Sequence, residues 1–186
     1  LANPPFMTPK GGIRPHKKFS IEASKSEILF LDYIIEHLHG AKKAGVIIPE
    51  GVLHNNFATY KSIRKKLIKD NLLYAVVELP HGMFKPYASV KTHILLIDYN
   101  VAVKKENVLF VQIKNDGFTQ TGARKPLNKD DLPNALSLIK SFKNDKDLSE
   151  DAGIDFNLVN KKELLKDKCL SLVGRRYKAI NYSSSS

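Results

Sequence analysis

The sequence predicts an α/β fold in which short strands alternate with amphipathic helices and the last strand runs antiparallel. Three observations carry this. Apolar residues recur at helical spacing in two stretches, Ile28 to Leu38 and Ile63 to Leu67. Short β-rich runs follow them, at Ala44 to Ile48, Leu72 to Leu79 and His93 to Asp98. Strand–helix–strand alternation implies parallel strands, whereas Leu79 and His93 are joined without a helix, which predicts an antiparallel last pair.

Taken in order, residues 7–23 mix Pro, Gly and basic residues without apolar periodicity and read as a loop. Ser24-Lys25-Ser26-Glu27 fits a capping box. Ile28, Leu31, Ile34, Ile35 and Leu38 then share one helical face until Gly40 stops the helix. The strand Ala44 to Ile48 leads into the turn Pro49-Glu50-Gly51. A second helix spans Thr59 to Asp70, with Ile63 and Leu67 inward and Lys61, Arg64, Lys65, Lys66 and Lys69 on its other faces. That basic cluster reads as a solvated face or as a contact for DNA or a partner subunit.

Beyond Asn100, Val108 to Ile113 reads as a further strand and Asn115-Asp116-Gly117 as a turn. Asp131 with Leu132-Pro133 starts a helix whose inner face is Leu136, Ile139 and Phe142. Residues 143–151 are charged and read as a linker. Two short elements follow, around Asn160 to Lys166 and Cys169 to Val173, before Gly174-Arg175-Arg176-Tyr177 and a low-complexity Ser183 to Ser186. This tail is either a surface strand or a docking element for a partner.

Bulk properties set bounds. The chain has 186 residues, enough for one domain with a sizeable core. A single cysteine excludes a disulfide framework and suits a reducing, cytoplasmic setting. The apolar runs are too short to cross a bilayer, so no membrane partner is expected. Thirty basic against nineteen acidic residues give a formal charge of +11, which favours a polyanionic partner. The six histidines form no metal pattern, and no phosphate-binding loop or Gly-x-Ser-x-Gly elbow is present.

The chemistry-bearing string is Asn3-Pro4-Pro5-Phe6. An Asn followed by two prolines and an aromatic matches the catalytic loop of methyltransferases acting on adenine N6 or cytosine N4. An exocyclic amino group is a poor nucleophile, because its lone pair is delocalised into the ring. The Asn side-chain oxygen and a backbone carbonyl, accepting its hydrogens, draw the nitrogen towards sp3 geometry and localise that pair. Pro4 and Pro5, with fixed φ and no N–H, stiffen the loop, and Phe6 offers a face against which an extruded base stacks. An ordinary Asn-Pro turn is the alternative.

The stretch Ser24 to Asp98, comprising SKSEILFLDYIIEHL, AGVIIPEGVL and LLYAVVELPHGMFKPYASVKTHILLID, resembles the modification (M) subunits of type I restriction–modification systems. Asn115-Asp116-Gly117-Phe118 and Leu132-Pro133 continue that resemblance, which covers most of residues 1–142. It implies an adenine-N6 DNA methyltransferase using S-adenosylmethionine on double-stranded DNA. It also implies a specificity subunit that reads the DNA and a restriction subunit for cutting. The implied fold is the second half of a Rossmann-like methyltransferase sheet (residues 1–100), with a small C-terminal α+β extension over 101–142 and a linker and tail over 143–186.

The resemblance also implies a second site element. An aromatic on the connection between Leu79 and His93 stacks on the flipped adenine, with Phe84 the first choice and Tyr87 the second; packing against the sheet edge is the alternative for both. Lys10, Arg14, Lys17 and Lys18 lie on the loop implied to run beside DNA phosphates, or they belong to a solvated loop. One departure matters: the family's glycine-rich cofactor loop and its acidic ribose-binding residue precede the Asn-Pro-Pro-aromatic loop, whereas only Leu1 and Ala2 do so here. No glycine pair downstream follows a strand and opens a helix, so no cofactor-binding residues are assigned. The expectation is therefore a fragment inactive by itself, with two further alternatives: a non-catalytic DNA-binding or assembly fragment, and a methyltransferase for another planar amide such as a protein glutamine.

Overall fold

The computed structural model describes residues 1–6, 21, 23, 25–38, 43–85, 89–148 and 153–178. Its centre is a five-stranded sheet of β1 (Lys43–Pro49), β2 (Leu73–Glu78), β3 (Thr92–Asp98), β4 (Asn107–Gln112) and β7 (Asp155–Asn160), ordered β1-β3-β2-β4-β7. β3 lies antiparallel between β1 and β2, so those two run parallel to each other. β4 is parallel to β2, and β7 closes the far edge antiparallel to β4. The helix-free connection after Leu79 therefore makes the antiparallel pair that the sequence predicts. At the other edge Ala2 adds a parallel bridge to Val46, through Ala2 N–H to the Gly45 carbonyl at 2.9 Å and Ile47 N–H to the Ala2 carbonyl at 2.9 Å.

Helices cover both faces. On one, α1 (Ser26–Glu36), α2 (Glu50–His54), α3 (Ala58–Lys69) and α6 (Lys161–Lys166) meet the core of Ile28, Leu31, Ile48, Leu53, Ile63, Leu67, Leu95 and Phe110. On the other, α4 (Tyr99–Ala102) and α5 (Leu132–Lys143) cover Ala75, Val77, Leu109 and Val111. A separate hairpin pairs β5 (Asp116–Phe118) with β6 (Pro126–Asp130).

Several elements differ from the sequence reading. α1 starts at Ser26, and the cap position falls on Lys25 with no side-chain cap; Ser24 lies outside the described residues. The Ser26 hydroxyl instead donates to the Pro5 carbonyl at 2.8 Å. In α3, Ile63 and Leu67 are fully buried as expected, but Arg64 is also fully buried rather than part of the basic face. Asp116 belongs to a strand rather than only to a turn. In α5 the inner face is Ala135, Leu138 and Phe142, whereas Leu136 is 54% exposed. The Asp131 carboxylate binds the Lys114 and Asn115 amides at 2.8 Å each instead of capping α5, and this fixes the helix's rotation. β7 was not legible: its alternation is weak, and its pairing with β4 depends on chain about fifty residues away.

The tail is bound to the sheet's first face. The Arg64 guanidinium donates to four main-chain carbonyls, those of Leu170 (2.8 Å), Val52 (2.7 Å), Asn55 (2.7 Å) and Cys169 (2.9 Å). Burial lowers its pKa to about 10, still high enough to keep the charge at neutral pH. Leu170 adopts φ +49°, a left-handed conformation costly for a branched side chain and held here by that bond. Gly174 follows, and a Cβ there would lie 2.5 Å from the Phe110 Cβ, so only glycine allows this close approach.

Candidate functional site

Because Ala2 runs parallel to β1, the residues after it emerge at the edge where β1 and β2 end and β3 begins. Asn3 and Pro5 are exposed there, Pro4 is buried and Phe6 is half-buried. The buried Pro4 and the Ser26 bond to the Pro5 carbonyl anchor the loop from one side, leaving the Asn3 amide outward. The β2–β3 connection begins at this same edge. Two strand steps separate the Ala2 bridge from β3, about 10 Å at the usual spacing of ~4.8 Å.

Phe84 lies on that connection. Pro80 to Lys85 form a tight turn with Met83 N–H to the Pro80 carbonyl at 3.3 Å, Lys85 N–H to the Gly82 carbonyl at 3.0 Å and Gly82 at φ +81°. Phe84 and Met83 are half-buried and pack against the core of the second face. Tyr87 lies outside the described residues, as do Lys10, Arg14, Lys17 and Lys18. Asn3, Pro4, Pro5, Phe6 and Phe84 thus come to one sheet edge.

The same edge carries a polar cluster that sequence reasoning missed. Glu78, at the end of β2, pairs with Lys91 and with Arg175 (3.1 Å), and accepts from Gln112 at 3.1 Å. Arg175 also pairs with Glu50, which begins α2, so one tail guanidinium bridges two strand ends. His93 is 1% exposed between them, its Nε2 3.9 Å from a Glu50 oxygen, and neither ring nitrogen has a hydrogen-bond partner among the described residues. Burial lowers the His93 pKa to about 4, overriding the opposing pull of Glu78 and Glu50, so the ring is neutral at pH 7. Burial pushes the Glu78 carboxyl up, but Lys91 and Arg175 outweigh it and hold it below its ordinary value. The available signal was a charged residue ending each apolar run, in VIIPE and AVVE, with no obvious partner.

Among the described residues no group of His, Cys, Asp or Glu could hold a metal ion. No helix there is long and apolar enough to cross a membrane.

An antiparallel strand inserted between two parallel neighbours of an α/β sheet is the arrangement of Rossmann-like methyltransferases, and that is the class this fold defines. Within it, the chain belongs to the N-6 DNA Methylase family, whose sequence model matches residues 1–167. It is similar to the methylase subunit of the type I restriction enzyme EcoEI of Escherichia coli, 36% identical over 96 residues, 51% of this chain and 19% of that subunit. The MjaVIII methylase subunit of Methanocaldococcus jannaschii is 30% identical over 107 residues, 58% of this chain and 18% of its own length. In structure it resembles the EcoKI M protein, with a TM-score of 0.73 at 20% identity over 91% of this chain and 41% of the other. A chain from a type I restriction–modification assembly gives a TM-score of 0.70 at 21% identity, over 97% of this chain and 38% of that one. The kinship with type I modification subunits stands on these matches, and the chain spans under a fifth of the length of the curated relatives named.

Proposed function

We propose that this chain carries the substrate side of the active site of an adenine-N6 DNA methyltransferase, the modification subunit of a type I restriction–modification system. The supporting observation is the Asn3-Pro4-Pro5-Phe6 loop, with Asn3 and Pro5 exposed at the strand edge from which the Phe84 turn also departs, in a chain of the N-6 DNA Methylase family. Asn3 accepts a hydrogen of the flipped adenine's amino group, with a loop carbonyl accepting the other, which localises the nitrogen lone pair. Phe6 and Phe84 flank the base, with Tyr87 as the next aromatic on the same connection. S-adenosylmethionine is the methyl donor of the complete enzyme. The protein works in the cytoplasm on double-stranded DNA, with a specificity subunit that selects the site and a restriction subunit for cutting. Its positive charge, with Lys10, Arg14, Lys17 and Lys18 following the motif in sequence, suits phosphate contacts.

Two measurements test this. The complete protein, assembled with its specificity subunit, should convert adenine to N6-methyladenine in duplex DNA, read by mass spectrometry of the hydrolysed nucleosides. N4-methylcytosine, or a methylated protein glutamine with unmodified DNA, would overturn the adenine assignment. The 186-residue chain by itself should show no micromolar binding of S-adenosylmethionine in titration calorimetry. Micromolar binding would mean that the 186-residue chain suffices for the cofactor.

A further inference from the structure

The β5–β6 hairpin is built in a way that stabilising itself does not explain. Every residue of β6 is exposed, and the hairpin pairs with no strand of the main sheet. Yet the Asp116 side chain is only 1% exposed. Its Oδ1 accepts from the Phe118 amide at 3.3 Å and from Gln120 Nε2 at 3.1 Å, and its Oδ2 pairs with Arg124. The guanidinium sits 4.9 Å from the centre of the Phe118 ring, and its Nη1 donates to the Met83 carbonyl at 2.5 Å. A buried carboxylate therefore orients an arginine, and the arginine grips the main chain next to Phe84.

A second contact fits the same two parts. A Cβ on Gly82 would lie 3.5 Å from the Gln120 carbonyl oxygen and 3.1 Å from Lys85 Cε, so the hairpin backbone follows the shape of the turn. From the other side, Met83 and Phe84 rest on the core formed by β2, β4 and α5. The turn is held between a rigid core and a hairpin whose second strand is exposed throughout.

We propose that Arg124, oriented by Asp116, is a positioning residue for the base-stacking turn, setting Phe84 through its hold on the Met83 carbonyl. This rests on the reading that Phe84 stacks on the extruded adenine. Arginine suits the task because its planar fork addresses the carboxylate and the carbonyl at once, which a lysine ammonium on a flexible stem does not. The hairpin thereby makes the stacking surface ready before DNA arrives, so less ordering has to accompany base extrusion.

The test uses R124M, the charge-retaining R124K, F84A and the R124M/F84A pair. In the 186-residue chain, R124M should speed hydrogen exchange at the Lys85 amide by roughly tenfold or more while amides of β2 and β4 keep their protection, the mark of a local opening. Where R124M lowers the melting temperature enough to blur this, R124K supplies the same reading with the charge kept. Unchanged exchange at Lys85 in both variants would overturn the proposal. In the complete assembly, 2-aminopurine is placed at the target position, once that position is mapped by sequencing methylated DNA. R124M should there reduce the extrusion equilibrium by roughly tenfold, within the range that base–aromatic stacking supplies. It should have no further effect in the F84A background. Multiplying effects of the two substitutions would overturn the proposal. If F84A leaves extrusion at the wild-type level, the stacking reading fails by itself, and the exchange data then decide separately whether Arg124 holds the turn.

Discussion

Two stretches of one sheet edge are built on opposite lines. The Asn3–Phe6 loop is exposed at Asn3 and Pro5 and tied down by the burial of Pro4 and one serine hydroxyl on a carbonyl. A few strands away, Glu50, Glu78, Lys91 and Arg175 are locked around a fully buried His93, while Arg64 binds four carbonyls deeper in the same face. The recognisable motif lies where the chain is lightly held, and the dense polar network lies where no motif could be read. A group that must meet a substrate cannot spend its hydrogen-bonding capacity on its own scaffold. Arg64, by contrast, gives its donors to four scaffold carbonyls, from segments as far as 106 residues away.

The strongest way to break this contrast is Arg64→Met. It leaves four carbonyls without their donor and releases the strained Leu170, so it should destabilise the chain by about 3–5 kcal/mol, as removal of one partner of a buried charged network does. Urea unfolding checks this. A loss under about 1 kcal/mol would mean that water replaces the guanidinium and that the tail is not anchored there.

Asn3→Ala tests the other side. In the complete assembly it should lower kcat for methyl transfer by on the order of 10²–10³, comparable to removing one pre-organised hydrogen-bonding group from an active site. DNA affinity and the melting temperature of the chain should stay near wild type. Equal losses in affinity and turnover would place Asn3 with the scaffold instead.

His93 gives the contrast a pH signature. Its folded pKa, about 4, lies below the ordinary imidazole value, so between about pH 4 and 6.5 the unfolded chain binds the extra proton. Stability from this group is therefore fully present above pH 6.5 and falls as pH drops towards 4, by up to about 3 kcal/mol. His93→Phe should flatten that part of the pH profile in urea titrations. Glu78 acts lower: its carboxyl is held below the ordinary value, so its contribution disappears as pH falls through that lowered pKa. A wild-type profile flat between pH 7 and 5 would show that His93 is reached by water.

The smallest effect belongs to Arg175→Gln. The side chain is 48% exposed, so its two ion pairs are screened, and the loss should be under about 1 kcal/mol. It should shrink as salt rises. A larger, salt-insensitive loss would show that the tail's grip on Glu50 and Glu78 is as strong as that of Arg64 on the carbonyls.

The α/β class, the antiparallel insertion of β3 and the inward set Ile63 and Leu67 could be read from the sequence. Each follows from local periodicity and from the length of one connection, which neighbouring residues settle among themselves. The string Asn3-Pro4-Pro5-Phe6 is also plain in the sequence, because its four residues are consecutive, and the role proposed for it starts from that string. Other features were decided only by tertiary structure. Arg64 turned inward because Val52, Asn55, Cys169 and Leu170 bring four carbonyls to one point, and they are 9 to 106 residues away from it. Leu136 yielded the inner face of α5 to Ala135 and Leu138 because Asp131 is held by amides at the end of β4's loop. β7 formed because β4 offered a free edge, and Asp116 was buried because Arg124 could reach both it and Met83. A side chain's periodicity states which face it prefers. Whether a charge or a weak strand is buried depends on partners that only the folded chain brings within hydrogen-bond reach.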